Sequence, residues 1–152
     1  MASRRLFQAL SRPIAAHQQR NLNIHEHMSV DLLREYGIKV PEGRVAYSVE
    51  EAVKMASELP TSDCVVKAQV LAGGRGKGHF DNGFQGGVHI CYGKEDVERV
   101  AGKMIGANLI TKQTGEEGRP VQKVFLCERR YPRREWNVLR KSMRIWRFFV
   151  RI

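Results

Sequence analysis

From Glu26 onward, apolar positions recur at helical and then at strand spacing, in alternation. In "EHMSVDLLREYG", Met28, Leu32 and Tyr36 fall on one helical face, and Gly37 suits the C-terminal stop. "RVAYS" is a short strand candidate. "SVEEAVKMASEL" predicts a second helix, opened at Ser48 by a capping-box pattern that runs to Glu51. "DCVVKAQVL" is β-branched and mostly apolar, which predicts a strand, and "GGVHIC" predicts another. "KEDVERVAGKMIG" returns to helical spacing, with Val97, Val100 or Ala101, and Met104 on its apolar face; "QKVFLCE" closes the pattern as a strand. The alternation predicts an α/β (α+β) domain, with a mixed sheet, flanking helices and the last three strand segments in one sheet. No repeat or low-complexity segment interrupts it, and no segment is apolar over the length needed to span a bilayer.

Charge changes the picture only at the ends. The formal net charge is +10 over 152 residues, which by itself suggests a nucleic-acid partner. Residues 1–20 carry Arg4, Arg5, Arg12 and Arg20 and no acid, and residues 129–152 carry nine basic residues against Glu135 alone. The body, residues 21–128, is left with 13 basic and 15 acidic residues, so it gives no electrostatic reason to expect DNA or RNA. The opening "MASRRLFQALSRPIAAHQQRNLNIHEH" alternates arginine with Leu6, Phe7, Leu10 and Ile14, and its first acid is Glu26. That is the pattern of a mitochondrial transit peptide, with cleavage expected near Arg20 and the matrix as destination; the alternative is a disordered basic tail. A length of 152 residues suits one domain with its own core. Cys64, Cys91 and Cys127 form no CxxC pair and lie within apolar runs, so buried reduced thiols are expected.

Half of the fourteen glycines lie in "VVKAQVLAGGRGKGHFDNGFQGGVHIC", with three cations and one acid. Lys77 is followed by Gly78, which excludes a Walker A loop, and His79 stands where GxGxxG needs its third glycine. The physics of anion binding survives both failures. Glycines let backbone N–H groups approach a phosphate, Arg75 offers a planar fork of donors, and Lys77 a point charge. Lys67 lies mid-strand, where a lysine either snorkels from a sheet edge or points at a ligand on the sheet face. A flexible hairpin between two strands accounts equally well for the glycines. "HEH" at His25–His27 lacks an evident third ligand for a metal.

Taken in order, "NLNIHEHMSVDLLREYGIKVPEG", "VVKAQVLAGGRGKGHF", "GGVHI", "MIGANLITKQTGEEG" and "VFLCE" resemble the N-terminal part of the β subunit of succinate–CoA ligase, an ATP-grasp enzyme of mitochondria and bacteria. "CERRYPRRE" is most like the ADP-forming animal form, and "KAQVLAGGRGKG" is the most specific run. The resemblance extends from about Asn21 to Glu135. It implies that Lys67 reaches the nucleotide phosphates, that Gly74, Arg75 and Gly76 form the loop closing over them, and that Glu128 lies beside the base and ribose. It implies that Glu135 binds the nucleotide, with ribose hydroxyls as its expected partners. It also implies ATP and Mg²⁺ as cofactors, an α subunit as partner and carrier of the phosphohistidine, and a place in the tricarboxylic acid cycle, where succinate and coenzyme A are joined as ATP is cleaved to ADP.

After Glu135 the resemblance ends, and "WNVLRKSMRIWRFFVRI" follows. The family's Mg²⁺ ligands and its succinate and coenzyme A contacts have no counterpart in this sequence. The expected division is a transit peptide at 1–20, a partial ATP-grasp nucleotide-binding domain at 21–135 and a divergent basic tail at 136–152. The chain reads as a truncated or alternatively terminated form, holding one wall of a nucleotide site, with no catalytic residue of its own. The alternatives are a non-catalytic interaction or regulatory fragment, and a basic amphipathic protein that binds membrane or nucleic acid through its tail. In that tail Leu139, Met143, Trp146 and Val150 stripe one helical face beside Arg140, Arg144, Arg147 and Arg151, although Phe148, Phe149 and Ile152 blur the polar side.

Overall fold

The computed structural model describes residues 24–130. The expected transit peptide, Glu135 and the basic tail lie outside the described residues. The elements run α1 (Glu26–Glu35), β1 (Gly43–Ala46), α2 (Val49–Glu58), β2 (Cys64–Ala68), a 3-10 turn (Arg75–Lys77), β3 (His79–Phe80), β4 (Val88–Cys91), α3 (Lys94–Met104), β5 (Asn108–Ile110), β6 (Arg119–Pro120) and β7 (Val124–Glu128). Each of the three helices occupies a segment where the sequence has helical spacing. Gly37, at φ 71°, ends α1 as expected. At α2 the Glu51 N–H donates to Ser48 Oγ at 3.2 Å, while the Glu51 carboxylate accepts the Tyr47 N–H at 2.8 Å.

One four-stranded sheet has the order β1-β7-β2-β4, and β3-β5-β6 form a smaller one. The α+β class and the shared sheet of β2, β4 and β7 agree with expectation. The ladders among the described residues are all antiparallel, however, rather than mixed. The second sheet has no legible strand pattern, because elements of two and three residues are too short to show a period of two. A side chain pins it instead: Asp81 accepts the Asn108 N–H at 3.2 Å and the Asn108 amide at 2.8 Å.

Alternation along β2 and β7 gives the main sheet two different faces. Cys64, Val66 and Ala68, with Val124 and Leu126, join Ala46, Ala52, Cys91, Val97, Val100, Ala101 and Met104 in the core under α2 and α3. Lys67 and Phe125, opposite each other in register, belong to the other face. There α1 docks through polar groups: His27 is buried, its Nδ1 lies 3.0 Å from Gln69 Oε1, and its ring lies 6.5 Å from that of Phe125. The apolar stripe of α1 is not a core face in this arrangement. Met28, Leu32 and Tyr36 are 50%, 48% and 78% exposed, because the opposite side of the helix carries the contacts to the sheet.

Candidate functional site

The connection from β2 to β4 contains the glycine loop, and its geometry turns on one carboxylate. Glu26, the first residue of α1, is ion-paired through Oε1 to Lys67 Nζ at 2.7 Å and through Oε2 to an Arg75 guanidinium nitrogen at 2.6 Å. Arg75 also donates to the Ala68 carbonyl, and its Nε–H has no partner among the described residues. The arginine is 2% exposed, Glu26 14% and Lys67 24%. Burial opposes ionisation of Glu26, but Lys67 and Arg75 outweigh it and hold the carboxyl below its ordinary value. Two cations on one anion leave a net positive cluster at the base of the loop.

Above it the backbone is open. Gly74 has φ 79° and no atom near its missing Cβ, and the turn bonds Lys77 N–H to Gly74 O at 3.0 Å. The N–H groups of Gly74, Arg75 and Gly76 donate to no acceptor among the described residues. Gly86 and Gly87 close the far side, where Gly87 N–H donates to Arg75 O and Ala68 N–H to Gly87 O, both at 2.8 Å. A side chain on Gly87 would press on Leu109 and on that Arg75 carbonyl. The adjoining segment Gln69–Leu71 lines a cavity of about 510 Å³ with His25, Arg119 and Lys123 and no acid. Burial, then Lys123, His27 and Arg75, push the His25 imidazole below its ordinary value, so the ring is held neutral in a positive surrounding. N–H groups without an acceptor among the described residues, at the exposed Gly74 and Gly76 beside a buried cationic base, form an arrangement suited to a polyanion.

The sequence profile of the ATP-grasp domain matches residues 23–139. The chain belongs to the ATP-grasp family. It is 56% identical over 117 residues to the mitochondrial succinate–CoA ligase [ADP-forming] subunit beta of Columba livia, covering 77% of this chain and 28% of the relative. It is 55% identical over 119 residues to the hydrogenosomal subunit of Neocallimastix frontalis, covering 78% and 27%, and 52% identical over 123 residues to the mitochondrial subunit of Neurospora crassa, covering 81% and 28%. The chain thus spans little more than a quarter of the length of these relatives.

Within this ATP-grasp chain the expected site residues separate into two groups. Lys67 and Arg75 come together on Glu26, and Gly74 and Gly76 flank Arg75 in the loop. Lys67 cannot snorkel from a sheet edge, because β2 is an inner strand between β7 and β4. The fork of Arg75 points inward, so in this structure its donors serve Glu26 and the Ala68 carbonyl rather than the space above the loop. Glu128 stands apart. Its register partner is Cys64, three residues from Lys67 along β2, so alternation directs it to the opposite face. It is 6% exposed, ion-paired to Arg130, and accepts the Glu42 N–H at 2.9 Å. Glu135 lies outside the described residues.

The residue that sequence reasoning passed over is Glu26. Its signal was weak but present: it is the first acid of the chain, placed between two histidines ahead of a basic loop that needs a counter-charge. Among the described residues no group of three His, Cys, Asp or Glu could hold a metal ion, and no helix is long and apolar enough to cross a membrane.

Proposed function

We propose that the chain supplies the phosphate-facing wall of the nucleotide site of an ADP-forming succinate–CoA ligase β subunit. The observation that carries this reading is the Lys67–Glu26–Arg75 cluster beside the N–H groups of the exposed Gly74 and Gly76. Lys67 provides the mobile charge, since its ammonium keeps some exposure and can exchange Glu26 for a phosphate oxygen. Arg75 holds the loop from below, and Gly74 and Gly76 present the backbone donors. ATP fits the donor set as a polyanion. Mg²⁺ has no ligand set among the described residues, so a metal held here would depend on the nucleotide and on groups elsewhere in the assembly. Glu128 and Glu135 are assigned to the base and ribose end, where carboxylates accept from hydroxyl or amine groups.

In the assembled enzyme this wall serves the joining of succinate to coenzyme A at the cost of ATP, with an α subunit as partner, in the tricarboxylic acid cycle. Residues 21–135 form the nucleotide-binding unit, and the chain alone does not turn over. Residues 1–20 act as a transit peptide for the mitochondrial matrix, a reading supported by the acid-free, arginine-rich composition and by relatives named mitochondrial or hydrogenosomal.

The test is calorimetric titration of ATP with Mg²⁺ into the purified chain. Lys67→Ala is expected to weaken binding about tenfold or more, the usual effect of losing one charge-assisted contact of roughly 1.5–3 kcal/mol. Equal affinity in wild type and Lys67→Ala, with both proteins folded, refutes the phosphate role.

A further inference from the structure

The core holds a feature that the nucleotide reading does not use. Cys64 on β2 and Cys91 on β4 are register partners across an antiparallel ladder, and both side chains enter the same core layer under α2 and α3. Directly opposed residues in such a ladder have Cα atoms about 4.5 or 5.5 Å apart, and both spacings lie inside the window of about 4.4–6.8 Å that a disulfide tolerates. Both thiols are free and buried, at 4% and 0% exposure. Interaction with the neighbouring Cys91 thiol holds Cys64 below the ordinary thiol value against burial and Asp63, while the same interaction and burial push Cys91 up.

Access is one-sided. A cavity of about 400 Å³ adjoins Cys64, lined by the C-terminal end of α2, the segment Leu59–Ser62 and the start of α3 at Gly93 and Lys94. That volume admits a small oxidant to Cys64, whereas Cys91, at 0% exposure, does not line it. Among the described residues β4 is an edge strand of its sheet, so its pairing with β2 is its only ladder there and the position best able to adjust. The third thiol, Cys127, faces away: it pairs in register with Val65, on the side of Lys67.

We propose that Cys64 and Cys91 are a redox-modification site, oxidised by peroxide or by a low-molecular-weight disulfide to a bond that clamps the base of the glycine loop. With hydrogen peroxide, the Cys64 sulfur attacks one oxygen, the O–O bond breaks, and the departing hydroxide takes the thiol proton as water. The Cys91 sulfur then attacks the resulting sulfenic sulfur, the S–O bond breaks, and the second hydroxide leaves as water with the Cys91 proton. The two thiols lose two protons and two electrons, and the peroxide is reduced to two waters. With a low-molecular-weight disulfide, Cys64 instead breaks its S–S bond to form a mixed disulfide and release one thiol, and Cys91 then displaces the second thiol, the two cysteine protons leaving on the two released thiols. The ring so closed contains Lys67 and the entire connection through Gly74–Gly76 to β4, so the bond ties together the two strands from which that loop springs.

The experiment uses the purified, fully reduced chain, treated separately with hydrogen peroxide and with oxidised glutathione, then alkylated under denaturing conditions. Alkylatable thiols are expected to fall from the three cysteines to one. Intact mass should drop by two hydrogens, and non-reducing peptide mapping should join the Cys64 and Cys91 peptides, reversibly with a dithiol. Cys127→Ser should still form the bond; because this change lies outside the pair, it keeps the test valid even if Cys64→Ser fails to fold. Limited proteolysis between β2 and β4 should slow several-fold on oxidation and recover on reduction. Three alkylatable thiols after treatment, a lasting glutathione adduct, a sulfinic acid at Cys64, or a cross-link through Cys127 would each overturn the site. Unchanged proteolysis in the oxidised protein would overturn the clamp.

Discussion

Replacing Glu26 tests the central geometry. Its carboxylate is the common partner of Lys67 and Arg75, at 2.7 and 2.6 Å. Removing one partner of a buried ion pair costs about 3–5 kcal/mol, because the surviving charge is left without compensation. The two halves differ. Arg75 is 2% exposed and cannot recover water, so its half carries most of that cost; Lys67 is 24% exposed, and its half is discounted for solvent screening. Glu26→Ala is therefore expected to lose about 3–5 kcal/mol. Glu26→Gln keeps the shape and one acceptor oxygen, and should lose about 1.5–3 kcal/mol.

At roughly 4–8 °C per kcal/mol for a domain of this size, the alanine variant should melt at least about 12 °C lower in a circular-dichroism scan at pH 7. Acid supplies an internal control. Glu26 titrates below its ordinary value in the folded chain, so its contribution is complete above that ordinary value and is lost as the pH falls through the folded one. The gap between wild type and Glu26→Gln should accordingly close on acidification. Arg75→Met combined with Glu26→Gln should cost less than the sum of the two, since neither buried charge is then stranded. An alanine variant that melts with wild type, or a gap that stays constant into acid, would refute the view that one carboxylate organises the loop.

Further outcomes follow from local geometry. Gly78→Ala would place a Cβ 2.5 Å from the Ile110 carbonyl oxygen, and should cost about 1–3 kcal/mol by denaturant titration. Gly74→Ala meets no atom but imposes φ 79° on a side chain, so a smaller loss of about 1–2 kcal/mol is expected, with the fold retained by circular dichroism. Ser48→Ala removes the N-cap acceptor of α2 and should lower stability by about 1 kcal/mol in the same titration.

Much of the architecture was legible in the chain because burial follows periodicity. The stripe Val97, Val100, Ala101 and Met104 is buried as its spacing requires, and "DCVVKAQVL", "GGVHIC" and "QKVFLCE" share a sheet. The capping signal at Ser48 and the stop at Gly37 are local chemistry, readable without knowing any tertiary contact. The glycine-rich run and the cationic positions Lys67 and Arg75 were equally visible, as was the abrupt change of charge at Glu26.

Partners across long sequence separations were not legible. Helical spacing puts Met28, Leu32 and Tyr36 together, but only the docking of α1 decides that this face stays exposed while His27 turns to Gln69. Sequence marks Arg75 as a fork of donors; only the fold shows where the fork points, because Glu26 and the Ala68 carbonyl are brought to it by different elements. Cys64 and Cys91 look unrelated as residues far apart in the chain, and the β2–β4 register makes them neighbours. Composition and periodicity state which groups must be buried or charged. Which opposite charge, acceptor or thiol meets each of them is a matter of register and docking angle, and these are set by the packed whole.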